Sequence, residues 1–134
     1  MLWQLPPTFK RDDDRLAGAL ARLPPGSHAW EFRHESWFAE DVFALLREHG
    51  AALVLADDSR RAFGAGPPTT DWAFLRFHHG ARGRRGNYSE AELAEWAERI
   101  EALERPAYAY FNNDWEGFAP RNALRLKKLL EATL

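Results

Sequence analysis

The sequence predicts an α/β fold built from parallel βα units, with about five strands. Short apolar runs alternate with amphipathic helical segments along the whole chain. The links between them are short, and strand–helix–strand units with short links form right-handed crossovers and a parallel sheet. One run, AALVLA at 51–56, is apolar throughout, as expected of a strand covered on both faces.

Leu2–Leu5 reads as the first strand and stops at Pro6-Pro7, which cannot continue a ladder. Asp12–Asp14 opens a helix with Leu16, Leu20 and Leu23 on one face, and its early acids suit the positive end of the helix dipole. Pro24-Pro25-Gly26 ends it, and His28–Phe32 is the second strand. Asp41–His49 reads as a helix, with Val42, Leu45 and Leu46 on its buried stripe and Gly50 as its stop. Ala51–Ala56 is the third strand and Trp72–Phe77 the fourth, joined by an irregular Gly/Pro-rich stretch. The loop 78–88 leads to the clearest helix start in the chain. There Ser89 and Glu92 form a capping box ahead of Leu93, Trp96 and Ile100. Ala107–Phe111 is the fifth strand. A last helix enters at Pro120 and carries Leu124, Leu126, Leu129 and Leu130.

A chain of 134 residues, 46% hydrophobic, is expected to form a single domain, 1–134, with a sizeable core. The net charge of −2 provides no general attraction to nucleic acid or anionic membrane. Cysteine is absent, which excludes disulfides, thiolate metal sites and a Cys nucleophile and suits a cytoplasmic protein. No apolar run approaches a membrane span, and MLWQLPPTFK lacks the features of a signal peptide.

Parallel α/β folds place their sites at the carboxyl ends of the strands. Here those ends read Glu31-Phe32-Arg33-His34, Asp57-Asp58, Arg76-Phe77-His78-His79 and Asn112-Asn113-Asp114. Alternation puts Glu31 and Arg33 on one face of their strand, and Arg76 and His78 likewise share a face of theirs. Glu31, Asp57 and His78 are the acid–base candidates. Arg33, His34, Arg76, Asn112 and Asn113 are the ligand-binding candidates, and two arginines favour an anionic small molecule. A second reading stays open, in which Glu31 pairs with Arg33 or Arg76 as a structural ion pair and Asp57-Asp58 is a turn or cap. Glu31, His34, Asp57 and His78 are metal-ligating types, but their spacing fixes no site, so no metal and no cofactor are assigned. Arg82, Arg84 and Arg85 could contact nucleic acid, but the acidic net charge makes a solvated loop the better reading. Ser36 and Ser59 lack a triad context.

Several stretches together resemble the domain-of-unknown-function 72 family, the YecE-like proteins. They are QLPPTFK (4–10), EFRHESWF (31–38), LVLAD (53–57), FLRFHHG (74–80), YSEAELAEWAERI (88–100) and YAYFNNDWEGFAPRNALRL (108–126). The resemblance implies a TIM-barrel-like fold of unassigned function, of which this chain corresponds to the C-terminal part, strands 4 to 8. It places Glu31, Arg33 and His34 on the family's strand 5, Asp57 at the end of strand 6, Arg76 and His78 or His79 on strand 7, and Asn112 and Asn113 on strand 8. It also implies that roughly the first three βα units of a ~250-residue barrel are missing. Open strand edges then favour self-association, as a homodimer or larger assembly. Three functions remain in view: a small-molecule or enzymatic site at the strand ends, a truncated half-barrel with no independent activity, and a weak nucleic-acid contact through 82–85.

Overall fold

The computed structural model describes residues 1–132. In chain order it contains β1 (Leu2–Gln4), α1 (Asp13–Ala21), β2 (Ala29–Glu31), α2 (Glu40–Glu48), β3 (Ala52–Asp58), β4 (Ala73–His79), α3 (Glu90–Ala102), β5 (Ala107–Phe111) and α4 (Phe118–Glu131). The five strands form one parallel sheet in sequential order, β1-β2-β3-β4-β5. The register is given by Trp3 opposite Trp30, Gln4 opposite Glu31, and Trp30 opposite Leu53. Helices fill every crossover except the link from β3 to β4. The α/β fold expected of the alternating pattern is therefore present.

Some boundaries differ from the sequence reading, for physical reasons. β3 continues through Asp57 and Asp58, and β4 through His78 and His79, so these residues extend strands where the apolar runs had already stopped. Pairing outweighs the poor strand propensity of Asp: just beyond β3, the Ser59 N–H still donates to the His79 carbonyl. α4 begins at Phe118, after Gly117 in the left-handed region (φ 74°), and Pro120 falls within its first turn. Phe43 takes the buried place on α2 expected of Leu45. Leu124, expected on the buried stripe of α4, is 62% exposed.

Two compact units can be distinguished, and each has its own core. The first comprises Met1–Leu55 and Ala65–Phe74. Its centre is an aromatic ladder in which Trp3 stacks on Trp30 at 5.7 Å and Phe32 on Trp37 at 4.6 Å. The indole N–H of Trp37 donates to the Phe9 carbonyl at 2.8 Å, so the ring is buried without losing its hydrogen bond. Leu16 and Leu20 of α1 and Val42, Phe43 and Leu46 of α2 are buried. Each large apolar side chain so buried contributes about 1.5–3 kcal/mol. His28, also buried, accepts from the Trp3 indole at Nδ1 (3.0 Å) and contacts the Pro24 carbonyl through Nε2 (2.8 Å). Thr69 joins the irregular link to β3: its Oγ1 accepts from the Leu53 N–H at 2.8 Å and donates to the Ala51 carbonyl at 2.7 Å.

The second unit comprises Ala56–Gly64 and the described residues from Leu75 onward. Phe77 is its hub. It stacks on Phe111 at 4.4 Å and meets Trp96 and Tyr88 edge-on at 5.0 and 5.5 Å. The capping box at Ser89 and Glu92 is formed, and Leu93, Trp96 and Ile100 are buried.

Candidate functional site

In the first unit the end of β2 is built around a charge. Glu31 is 1% exposed, and the Arg33 Nε donates to its Oε1 at 3.0 Å. A carboxylate this deep needs such a partner, and removing one member of a buried pair typically costs about 3–5 kcal/mol. Glu31 and Arg33 are thus brought together, in the arrangement of the ion-pair reading. His34 caps a short helical turn at Glu35–Trp37, its Nδ1 accepting from the Ser36 N–H at 3.1 Å. Ser36 Oγ in turn accepts from the Arg11 N–H at 2.8 Å. Both residues therefore shape the chain where it leaves the strand.

In the second unit the two aspartates of β3 point to opposite faces. The Tyr88 hydroxyl, whose ring packs on Phe77, donates to Asp57 Oδ2 at 2.9 Å, so Asp57 lies on the Phe77 side. Burial pushes the Asp57 carboxyl up, assisted by the charge of Glu92, while the Tyr88 hydrogen bond pulls it down; the net shift is upward. The Tyr88 phenol is raised by its own burial and by Asp57, so it remains a donor. For Asp58, burial also acts upward. Hydrogen bonds from the Arg60 guanidinium (2.8 Å to each oxygen) and the Arg60 N–H, with a contribution from the charge of His78, hold the carboxyl below its ordinary value.

β4 shows the same alternation. Ala73, Leu75 and Phe77 are buried, while Arg76 and His78 are half-buried together on the other face. His79 belongs to the Phe77 side. Its Nδ1 lies 2.8 Å from Ser59 Oγ, and its ring packs so closely on Gly86 that a Cβ there would sit 2.6 Å from Cδ2. The doubled histidine thus separates into His78 beside Arg76 and His79 in a loop contact. Asn112 is exposed at the end of β5, with its N–H donating to the Phe77 carbonyl at 2.8 Å. Asn113 is buried and structural: its Nδ2 donates to Asn122 Oδ1 at 2.7 Å and to the Gly86 carbonyl at 3.1 Å.

The loop after β4 is tied down. Glu92, 6% exposed, accepts from the N–H groups of Ala81, Arg82 and Ser89 at 2.8, 2.9 and 3.1 Å. Burial acts to raise its carboxyl, but these hydrogen bonds outweigh it and hold the group low. The loop's cations are engaged as well: Arg82 pairs with Glu95, Arg84 with Glu116 at 3.6 Å, and Arg85 lies 4.9 Å over the Trp115 ring. The loop is folded, and Arg82, Arg84 and Arg85 remain exposed to solvent beside these partners, as expected of a solvated loop.

Tyr88 and Asn122 were missed by sequence reasoning, and Asp58 was named there only as a neighbour of Asp57. Strand alternation could have separated Asp58 from Asp57, once the strand was known to extend that far. Nothing local marks Tyr88 or Asn122, whose partners are 31 and 9 residues away. No group of three or more metal-ligating side chains occurs among the described residues, and no helix there is long and apolar enough to cross a membrane.

The fold and these strand ends define an α/β protein with charged and amide groups at the carboxyl ends of parallel strands. Residues 1–134 match the family model described as protein of unknown function DUF72, and the chain belongs to this family. It is similar to a DUF72 family protein of Thermotoga maritima, with 34% identity and a TM-score of 0.79 over 97% of this chain and 56% of that one. Two structures of a DUF72 family protein from Enterococcus faecalis share the fold at 21% and 22% identity. Their TM-scores are 0.83 and 0.80, over 98% of this chain and 58% and 60% of theirs. The chain therefore spans under two thirds of these solved relatives. No match was found among curated proteins.

Proposed function

We propose that the second unit binds an anionic small molecule at the carboxyl end of β4, with Arg76 as the anion contact and His78 as the proton-exchanging group. The observation that carries this reading is the burial alternation of β4, which commits Ala73, Leu75 and Phe77 to the core and leaves Arg76 and His78 together on the opposite face. Asp58, whose carboxyl is held lower in part by the charge of His78, supports the reading by its nearness to that imidazole. A guanidinium has five donors in a fixed fork, suited to phosphate or carboxylate oxygens. Asn112, exposed at the neighbouring strand end, adds an amide for orientation. We also read the sequential parallel strands as one wall of a (β/α)8 barrel, whose sites lie at this end.

The test is a thermal-shift and calorimetric screen with inorganic phosphate, a sugar phosphate and a dicarboxylate. Wild-type protein is expected to be stabilised by at least one of them. Arg76→Lys, which keeps the charge but loses the fork, and His78→Gln should each weaken that binding about tenfold, roughly 1.4 kcal/mol, with unchanged circular dichroism. If none of the anions binds at millimolar concentration, or binding ignores both substitutions, the reading fails.

A further inference from the structure

The buried ion pair after β2 is bonded differently from exposed pairs elsewhere in the chain. Arg11, Arg60 and Arg125 meet their carboxylates side-on, with Nε and Nη2 both donating. Arg33 donates to Glu31 through Nε alone, although Glu31 is the most deeply buried charged side chain among the described residues. The two terminal nitrogens of Arg33 take no partner among the described residues, and its side chain is 33% exposed. A guanidinium held at Nε presents its other edge, two parallel N–H donors.

That edge is fixed in place. Burial locks Glu31, and the chain just beyond Arg33 is pinned by three contacts. His34 Nδ1 accepts from the Ser36 N–H, Ser36 Oγ accepts from the Arg11 N–H, and the Trp37 indole donates to the Phe9 carbonyl. Donors held this way lose little freedom when a ligand meets them. Arg33 also lies past the last residue of β2, at the carboxyl end. There parallel α/β folds bind small molecules, whereas further strands add along the edges. Gln4 stands opposite Glu31 in the register, so its Cβ lies on the same face. Gln4 is exposed, and its amide, with both donor and acceptor groups, has no partner among the described residues.

Charge balance narrows the ligand. The Glu31–Arg33 pair is neutral, so it attracts a second negative charge little, while desolvating that charge still costs free energy. A singly charged carboxylate fits, because its two coplanar oxygens match the two terminal N–H groups.

We propose that the first unit binds a small 2-hydroxycarboxylate, with the Arg33 fork taking the carboxylate and the Gln4 amide the adjacent hydroxyl. Glu31 is then a positioning residue, which holds the fork without touching the ligand. The site shares no residue with the Arg76 reading and does not rest on it.

Calorimetric titration of the chain with lactate, and with propionate as the analogue lacking the hydroxyl, tests this. Lactate is expected to bind in the millimolar range, and propionate about tenfold more weakly. Arg33→Lys keeps the charge beside Glu31 but loses the fork, and should weaken lactate binding about tenfold. Gln4→Ala should bring lactate down to the level of propionate. Arg76→Lys should leave lactate binding unchanged, which separates this site from the one proposed above. If Arg33→Lys disturbs the circular dichroism, the Gln4→Ala comparison decides. No lactate binding at tens of millimolar overturns the proposal and leaves the Arg33 fork to a carboxylate of further chain. Equal binding of lactate and propionate overturns it as well, as does lactate binding that survives Arg33→Lys in folded protein. Loss of lactate binding in Arg76→Lys also overturns it and assigns the carboxylate to Arg76.

Discussion

Single side chains at the strand ends differ in how they respond to protons, and their surroundings set the direction. Glu92 is held low by three backbone N–H groups. Its contribution is therefore present above the ordinary carboxyl range and disappears as pH falls through its lowered folded value. Glu92→Gln is expected to destabilise the chain by about 1–3 kcal/mol at neutral pH, with the gap closing in acid; urea titrations at several pH values check this. Asp57 behaves oppositely. Its folded value is raised, so stability is full below the ordinary range and falls as the pH rises through the folded value. Asp57→Asn keeps an oxygen for the Tyr88 hydroxyl. It is expected to be neutral or stabilising at neutral pH, with the difference vanishing in acid. Asp57 lies on the Phe77 side and Glu92 ties down the loop after β4, which is why the alternation of β3 matters for assigning roles.

At the scale of elements, the irregular pieces are held by specific polar contacts and close approaches. The turn after β4 brings Asn87 so near Gly83 that a Cβ there would lie 2.1 Å from the Asn87 carbonyl oxygen. Gly83→Ala must move backbone, at a cost of about 1–3 kcal/mol. Faster amide exchange confined to residues 80–88 would accompany it; unchanged exchange and stability would refute the close packing. In the first unit, Thr69→Val removes the hydroxyl that serves both Leu53 and Ala51, leaving two buried backbone groups without it. A loss of about 1–3 kcal/mol in denaturant unfolding is expected. These contacts explain how a link without a helix remains compatible with an ordered sheet.

For the molecule as a whole, edges dominate. A parallel sheet with two end strands exposes backbone along both, and proteins cover such edges or pair them. If copies of the chain pair through such edges, association stabilises the native state by mass action. The midpoint of thermal unfolding should then rise with chain concentration. A concentration-independent midpoint in wild type would remove self-association as a source of stability.

By itself the sequence determined the α/β alternation, the capping box at Ser89 and Glu92, the buried stripe of α3 and the end of the strands at which to look for a site. These follow from local periodicity and chain stereochemistry, which a sequence carries directly. It also named Arg76 and His78 as sharing a face, because alternation is a property of any strand. Only the tertiary structure decided that Asp57 and Asp58 lie within β3, on opposite faces, that Asn113 is buried in a link to Asn122, and that the Arg-rich loop is folded with its cations paired. It also decided that Leu124 is exposed while its helical neighbours on the stripe are not. Each of these depends on partners distant along the chain, through ladder pairing, buried amide hydrogen bonds or tertiary packing, and no local pattern encodes such partners.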